Sequence, residues 1–491
     1  MKILTYITRA IVGALFIVSG LIKANDTLGF SYKLEEYFEN GALAYRVRDW
    51  FGWDSFTLEF LAEYALMLAI ILCAAEIILG LAILIGVKIR FTLYSLLGFT
   101  TLFFFLTLHT ATCDPHASYA QLTTVEIDSP QNTRFVERME TNDKIEITEQ
   151  NEKQITYKEQ MPVQCVNDCG CFGDAMKGSL GRSMTPWESW MKDVALMILL
   201  IPSFIYRKNI KINTKKEDVI ILSIGFAFSL YLSWVFDWYF LSFFYLLTIG
   251  GYIGMKRFIQ PLKLQWMPYF YAALISLVFI YYTYSHLPLR DYRAYAVDKS
   301  IPEQMVLPDD AIESVYENIF FYKNKTTNNV EEFTEANYPW KDTNYVFSSR
   351  ETKLILQGDE AAISDFTMMA DDGNDYAQDY FNEEGYIFVV VAYDISKTEQ
   401  IPFKKLNTFV DEASKDGNYF IGLTASLYNE VETFRHDQQT MFDFYTCDAI
   451  TLKTIVRANP GVFVMKKGVI LGKWNANDLP DYATVKEEIL N

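Results

Sequence analysis

No Cys-x-x-Cys pair occurs anywhere in the 491 residues, so the commonest dithiol active site is excluded from both the apolar and the soluble parts. A glycine-rich phosphate loop, a serine triad and paired glycosidase carboxylates are also missing. Positive charge is scarce toward the C-terminus. Residues 286–491 hold 19 Lys/Arg against 35 Asp/Glu and so carry about −16 of the chain's −18. Such an acidic tail argues against nucleic acid and anionic lipid as its partners. The first apolar run lacks a small-residue cleavage site and continues through Gly20-Leu21-Ile22-Lys23, which marks it as a retained span rather than a signal peptide.

What is present is a sharp split in hydropathy. A span needs roughly 20 apolar residues, and seven such runs occur at about 4–24, 60–87, 91–112, 187–206, 218–236, 238–255 and 267–286. Basic clusters at Lys2, Lys88 to Arg90, Arg207 to Lys216 and Lys256 to Lys263 alternate with base-poor loops. The positive-inside rule then places the N-terminus in the cytoplasm and the tail from about Leu287 outside. Loop 113–186 is too long for a plain connector. Arg134 to Met139, Lys144 to Glu149 and Gln154 to Gln160 alternate apolar and polar residues, which predicts a small β-meander over the membrane.

Cys113, Cys165, Cys169, Cys171 and Cys447 fall on the outer side, and Cys73 sits mid-span as a small packing residue. Thiol–disulfide chemistry at the membrane face is one reading of the first four, and structural staples are the other. Four cysteines allow three pairings. A Cys169–Cys171 bond would close a very small, easily reduced ring. Cys113 bonded to either of these would tie the third span to the fourth and leave Cys165 as the solvent-side thiol. The preferred relay has a bond involving Cys165 and Cys169 that passes electrons to Cys171 and Cys113. The helix start at Thr185-Pro186-Trp187-Glu188 could lower a nearby thiol pKa. A weaker reading places zinc or copper on His109, Cys113 and His116 with Cys169 and Cys171, against which Pro115 and an oxidising compartment weigh.

Arg9, Lys23, Glu63 and Glu76 lie in or near spans, where charge faces protein, a partner or water. Arg9 and Lys23 are expected to snorkel to the interface. Glu76 is expected in an internal ion pair or hydrogen bond, with intramembrane acid–base work as the alternative. Gly13, Gly20, Gly80 and Gly86 suit close helix contact.

Three separated patterns carry a family resemblance over residues 1–206. They are Arg9-x-x-x-Gly13 with Phe16 to Lys23, then Glu76-x-x-x-Gly80 with Gly86, then Cys169-Gly170-Cys171-Phe172-Gly173. Together they resemble the DoxX/MauE group of membrane proteins. The whole chain is similar to a longer form of that family typical of Bacteroidetes-type bacteria, and Asp291-Tyr292-Arg293-Ala294-Tyr295 fits that form. The resemblance implies a four-helix bundle like that of vitamin K epoxide reductase, with three further spans. It also implies the bacterial inner membrane, a periplasmic tail, and links to thiosulfate oxidation, disulfide maturation and oxidative stress. Quinone is the cofactor such enzymes would use, although the Cys-x-x-Cys they carry within a span is missing here.

Residues 287–360 contain strand-like runs at Asn318 to Tyr322, Val330 to Phe333 and Tyr345 to Ser348. Residues 361–491 read as β-α-β-α-β-β, with buried strands at Tyr386 to Tyr393 and Tyr419 to Ala425. Ser364-Asp365-Phe366, Asp371-Asp372-Gly373 and Asn459-Pro460-Gly461-Val462 make this part resemble an α/β thioredoxin-like domain, and the resemblance implies a cis Pro460. Asp394 to Gln400 stands where that family places its cysteines. The groove near Pro460 would then bind a peptide or partner. Cys447 is either inert or able to join Cys165, and His436 reads as surface.

Two functions follow. One is a membrane-bound extracytoplasmic thiol–disulfide oxidoreductase, coupled to quinone and acting on a protein or thiol substrate. The other is a non-enzymatic scaffold of an envelope complex with structural disulfides.

Overall fold

The computed structural model describes residues 2–115, 117–126, 145–150, 154–166, 170, 172–176, 183–258, 266–307, 311–312, 315–327, 329–356, 358 and 361–490. The chain divides into two compact units, Met1–Arg293 and Ala294–Asn491.

The first unit is built from helices α1 (Lys2–Asn25), α2 (Thr27–Phe38), α3 (Tyr45–Phe51), α4 (Ala65–Ile85), α5 (Ile89–Thr112), α6 (Pro186–Tyr206), α7 (Lys215–Val235), α8 (Phe240–Phe258) and α9 (Met267–Ser285). Among the described residues six helices are long and apolar enough to cross a membrane: α1, α4 with its leading 3-10 turn, α5, α6, α7 and α9. The expected seventh run does form a helix, α8. Ser242, Thr248, Tyr252, Lys256 and Arg257 dilute its apolar character, which keeps it outside that group.

Local chemistry sets the helix ends. Thr185 and Thr214 each close a capping box with Glu188 and Glu217, and Pro186 occupies the first turn of α6. Gly86, at φ +75°, ends α4 in the left-handed conformation. The core lies between α1 and α4. A Cβ on Gly13 would stand 2.8 Å from the Gly80 carbonyl, and one on Gly80 would stand 2.8 Å from the Gly13 carbonyl. Only a residue with no side chain lets the two backbones approach this closely, as the glycine spacing predicts.

Side-chain bonds identify the two ends of the bundle. One end gathers Asn25, whose amide donates to the Arg290 carbonyl (2.7 Å), and Thr283, which donates to Ala24 (2.7 Å). The other end is basic, with Lys2, Lys88, Arg207 and Lys256. Helix α8 reaches both ends. Its Ser242 hydroxyl lies 2.6 Å from that of Ser233 at the end of α7, and its Tyr252 donates to Asp218 (3.2 Å) at the start of α7.

Arg9 corrects the snorkelling expectation. It is 2% exposed and donates to the carbonyls of Ile83 (2.9 Å) and Leu84 (3.0 Å) and to Asn213 Oδ1 (2.8 Å). The last carbonyls of α4 have no partner within the helix and carry its negative dipole end, so a guanidinium is satisfied there without reaching water.

A three-stranded antiparallel sheet follows α5: β1 (Ser118–Glu126), β2 (Ile145–Gln150) and β3 (Gln154–Pro162), in the order β1-β3-β2. The meander is therefore present, with a first strand at 118–126 that the alternation pattern missed. The expected strand Arg134 to Met139 lies outside the described residues.

The second unit holds two sheets. Strands β4 (Val315–Asn324), β5 (Val330–Thr334) and β6 (Tyr345–Leu356) pair in the order β5-β4-β6. The other sheet contains β7 (Ile387–Val391), β8 (Tyr419–Thr424), β9 (Phe444–Thr446), β10 (Gly461–Lys466) and β11 (Val469–Asn475), in the order β11-β10-β7-β8-β9. β7, β8 and β9 run parallel, while β10 is antiparallel to both β7 and β11. Every residue of β7 is buried, as an uninterrupted apolar run demands of a central strand. Helix α10 (Phe403–Lys415) lays Phe403, Leu406, Val410 and Ala413 onto the core. The expected β-α-β-α-β-β succession is extended here: a helix at Tyr428–Gln438 follows β8, and β9 with a further helix at Ala449–Ile455 precedes the final hairpin.

Candidate functional site

Strand register brings the first two cysteines together. Ser118 pairs with Pro162 where β1 meets β3, so the segment entering β1 and the segment leaving β3 run side by side. Cys113 and Cys165 lie on those segments and form a disulfide with Cα atoms 5.6 Å apart. Tyr45, Tyr119 and Val163 pack around it, with the two tyrosine rings stacked at 5.7 Å. This corrects the relay expectation. Cys165 is not a mobile thiol, it is not bonded to Cys169, and Cys113 is joined to neither Cys169 nor Cys171. The missed first strand hid the register that selects this pairing.

Cys169 and Cys171 lie outside the described residues, but their neighbours are placed. A Cβ on Gly170 would meet the Phe30 ring at 3.3 Å, so this backbone rests on α2. Phe172 is buried against Phe236, with centroids 5.1 Å apart, and the Lys192 ammonium lies 5.1 Å from its ring.

Beside Phe172 two ion pairs share a polar seam in the bundle. Lys23 donates to both oxygens of Glu76 at 2.7 and 2.9 Å and to Ser19 Oγ at 2.8 Å, with the Phe103 ring 4.7 Å from its ammonium. Lys192 stands 3.1 Å from Asp193, which also accepts from Thr107 at 3.0 Å. The ion-pair expectation for Glu76 holds. The snorkelling expectation for Lys23 does not, because its ammonium meets the Glu76 carboxylate directly inside the core and the pair neutralises itself there. The Lys192–Asp193 pair was missed, although a charged dipeptide within an apolar run was the available signal.

The space between these pairs is about 20 Å³. That is room for about one water molecule, against roughly 300–1,000 Å³ for small-molecule sites. A quinone ring does not fit there. The seam can polarise or pass a proton, but it is not a cofactor pocket.

His109 is buried, edge-on to Tyr37 (6.2 Å) and Tyr45 (6.0 Å), and neither ring nitrogen has a hydrogen-bond partner among the described residues. Cys113 is consumed by the disulfide and His116 lies outside the described residues. Among those described, no three His, Cys, Asp or Glu side chains converge on a metal position.

In the second unit the loop after β7 is knitted to the proline loop. Asn459 donates to the Asp394 carbonyl (2.9 Å) and accepts from Thr398 (3.0 Å), and the Asn459–Pro460 bond is cis, as the resemblance implied. Pro460 is buried and His436 is exposed. Cys447 is buried too, and burial pushes its thiol up to about 11. It is expected to resist iodoacetamide at pH 8 in the folded protein and to react once unfolded, as mass spectrometry of the alkylated chain would read. Because the folded pKa lies above the ordinary 9.0, the thiol's stabilising contribution is full below pH 9 and is lost as pH rises through about 11.

Residues 316–357, which form the β4–β6 sheet, match a family described as a domain of unknown function (DUF8463). None of the curated proteins compared matches the chain. Among solved structures, the solution structure of a thiol:disulfide interchange protein from Bacteroides sp. aligns over 26% of this chain and 86% of its own, at 13% identity and a TM-score of 0.21.

Proposed function

We propose that the chain is a membrane-bound, extracytoplasmic thiol–disulfide oxidoreductase whose exchanging pair is Cys169 and Cys171. The observation that carries this reading is the Cys113–Cys165 bond. With these two joined, one pairing of the original three remains, and it couples Cys169 to Cys171. The intervening Gly170 rests against Phe30 and the adjoining Phe172 lies beside the Lys192 ammonium, which supports this reading. The basic end of the bundle supports a cytoplasmic N-terminus. Seven crossings, with α8 counted through its bonds at both ends, would then deliver the acidic unit to the opposite side. The DoxX/MauE resemblance of residues 1–206 supports an inner-membrane setting.

In the proposed step a substrate thiolate attacks the Cys169–Cys171 disulfide, forming a mixed disulfide and releasing one protein thiolate. The second substrate thiol resolves it, leaving a substrate disulfide and two protein thiols. A partner disulfide takes the same two electrons in the reverse exchange and restores the bond. Quinone has no part in this scheme. The second unit, without a thiol at Asp394 to Gln400, would hold the partner near Pro460.

The scaffold reading draws on one observation, the packing of the half-buried Cys113–Cys165 bond against Tyr45, Tyr119 and Val163. Single Ser replacements separate the two, with oxidation of a reduced peptide by the full chain as readout. Cys169→Ser and Cys171→Ser are expected to lower the rate about 100-fold or more, as loss of a nucleophile does. Cys113→Ser and Cys165→Ser are expected to retain most of it. Equal rates in all four variants and the parent would leave the scaffold as the function.

A further inference from the structure

A second cavity opens at the basic end, between the α4–α5 turn and the segment that follows α6. It measures about 670 Å³, and Lys88, Arg90, Arg207, Lys208 and Lys211 line it together with Phe91, with no carboxylate in the lining. None of the five cations forms an ion pair among the described residues. The two backbone segments are bolted together. Asn213 N–H donates to the Ile85 carbonyl (3.1 Å), its side-chain amide donates to Leu84 (2.8 Å), and a Cβ on Gly86 would fall 2.5 Å from the Lys211 carbonyl. The backbone that carries the charges is therefore fixed, and the ordering cost of binding falls on the side chains alone.

The start of α5 carries an independent signal. This 24-residue helix begins at the cavity with no side-chain cap and no acidic residue in its first turn, so its free N–H groups and positive dipole end face the same space. Lys88 and Arg90 add like charge to that end, an arrangement that a bound anion would relieve. Topology alone asks for the number of cations, not for their convergence on a positive helix terminus. Immediately along α5 and α6, Phe91, Tyr94, Ile201 and Ile205 are exposed, and the Tyr94 and Phe204 rings meet edge-on at 5.7 Å. An apolar strip below a cationic cavity fits a molecule with a phosphate head and acyl chains, whereas a soluble anion would gain nothing from the strip.

We infer that this cavity is a binding site for the head group of an anionic phospholipid of the cytoplasmic leaflet, with its chains along α5 and α6. A basic pocket between spanning helices on that side is the setting in which such lipids are retained.

The test is native mass spectrometry of the full chain in detergent, titrated with phosphatidylglycerol or phosphatidylcholine. At equal mole fraction, phosphatidylglycerol is expected to be retained about tenfold or more over phosphatidylcholine. Replacing Arg90, Lys208 and Lys211 by Gln together is expected to remove most of that preference and bring retention of the two lipids to within about twofold. All three side chains are exposed, so the fold does not depend on them. The charge-conserving variant Arg90→Lys with Lys208→Arg is expected to keep the preference. Lys2→Gln with Lys216→Gln, at the same end but outside the cavity, is expected to leave it unchanged. Equal retention of both lipids, an equal loss in the Lys2/Lys216 variant, or displacement by millimolar inorganic phosphate would each overturn the inference.

Discussion

Glu76→Gln is expected to lower the stability of the helix unit by about 3–5 kcal/mol, because it leaves the Lys23 ammonium in the core without its counter-charge. Lys23 is 3% exposed and Glu76 2%, so water does not screen the change. The remaining Ser19 hydroxyl and Phe103 ring do not neutralise a full charge. A loss of this size is a large part of the roughly 5–15 kcal/mol that holds an ordinary domain together. The companion variant Lys23→Met with Glu76→Leu removes both charges at similar volume and is expected to recover most of the loss, since desolvation of the pair offsets its attraction. Denaturant melts of purified protein in detergent would measure both. Equal damage from the single and the double variant would mean that shape, not charge balance, matters at this position.

Removing the Cys113–Cys165 bond by the double Ser variant is expected to cost about 4 kcal/mol by the loop-closure relation. The bond spans 52 residues of sequence, and the unbridged chain regains the freedom of that loop. The damage should be local: proteolysis should nick residues 118–162 first, while α1 and α4 stay protected. Retained peptide oxidation in the same variant would separate the staple from the exchanging pair. Protease resistance equal to the parent's would show that sheet pairing and the Tyr45–Tyr119 stack hold the meander without the bond.

The long helices were legible because apolar runs of spanning length have few other readings, and Thr185 to Glu188 marked a helix start in plain chemical terms, whereas the shorter, mixed-polarity α2 and α3 were not. Most strands of the second unit were legible from their composition, while β9, three residues long, was not. β7 is uniformly apolar, and β4 to β6 alternate between polar turns. Long-range choices were harder to see. Whether Arg9 reaches water or a carbonyl depends on where α4 ends in space, and Gly86 marks that end only once α1 is packed beside it. The disulfide partner of Cys113 depended on a strand, Ser118 to Glu126, whose mixed polar composition carries little periodic signal. Asn213 was invisible for a similar reason: a loop amide gains its role only when two helix ends and a guanidinium converge on it.

The pairing of α8 with α7 has a consequence for biosynthesis. A segment short of full apolar character partitions poorly into lipid by itself. Ser233 against Ser242 and Asp218 against Tyr252 and Lys256 shield each other's polar groups, so under the proposed topology α7 and α8 would enter the bilayer as one helical hairpin. On that topology the parity of crossings, and with it the compartment that receives the acidic half of the protein, would be decided while the ribosome is still extending the chain through residue 258.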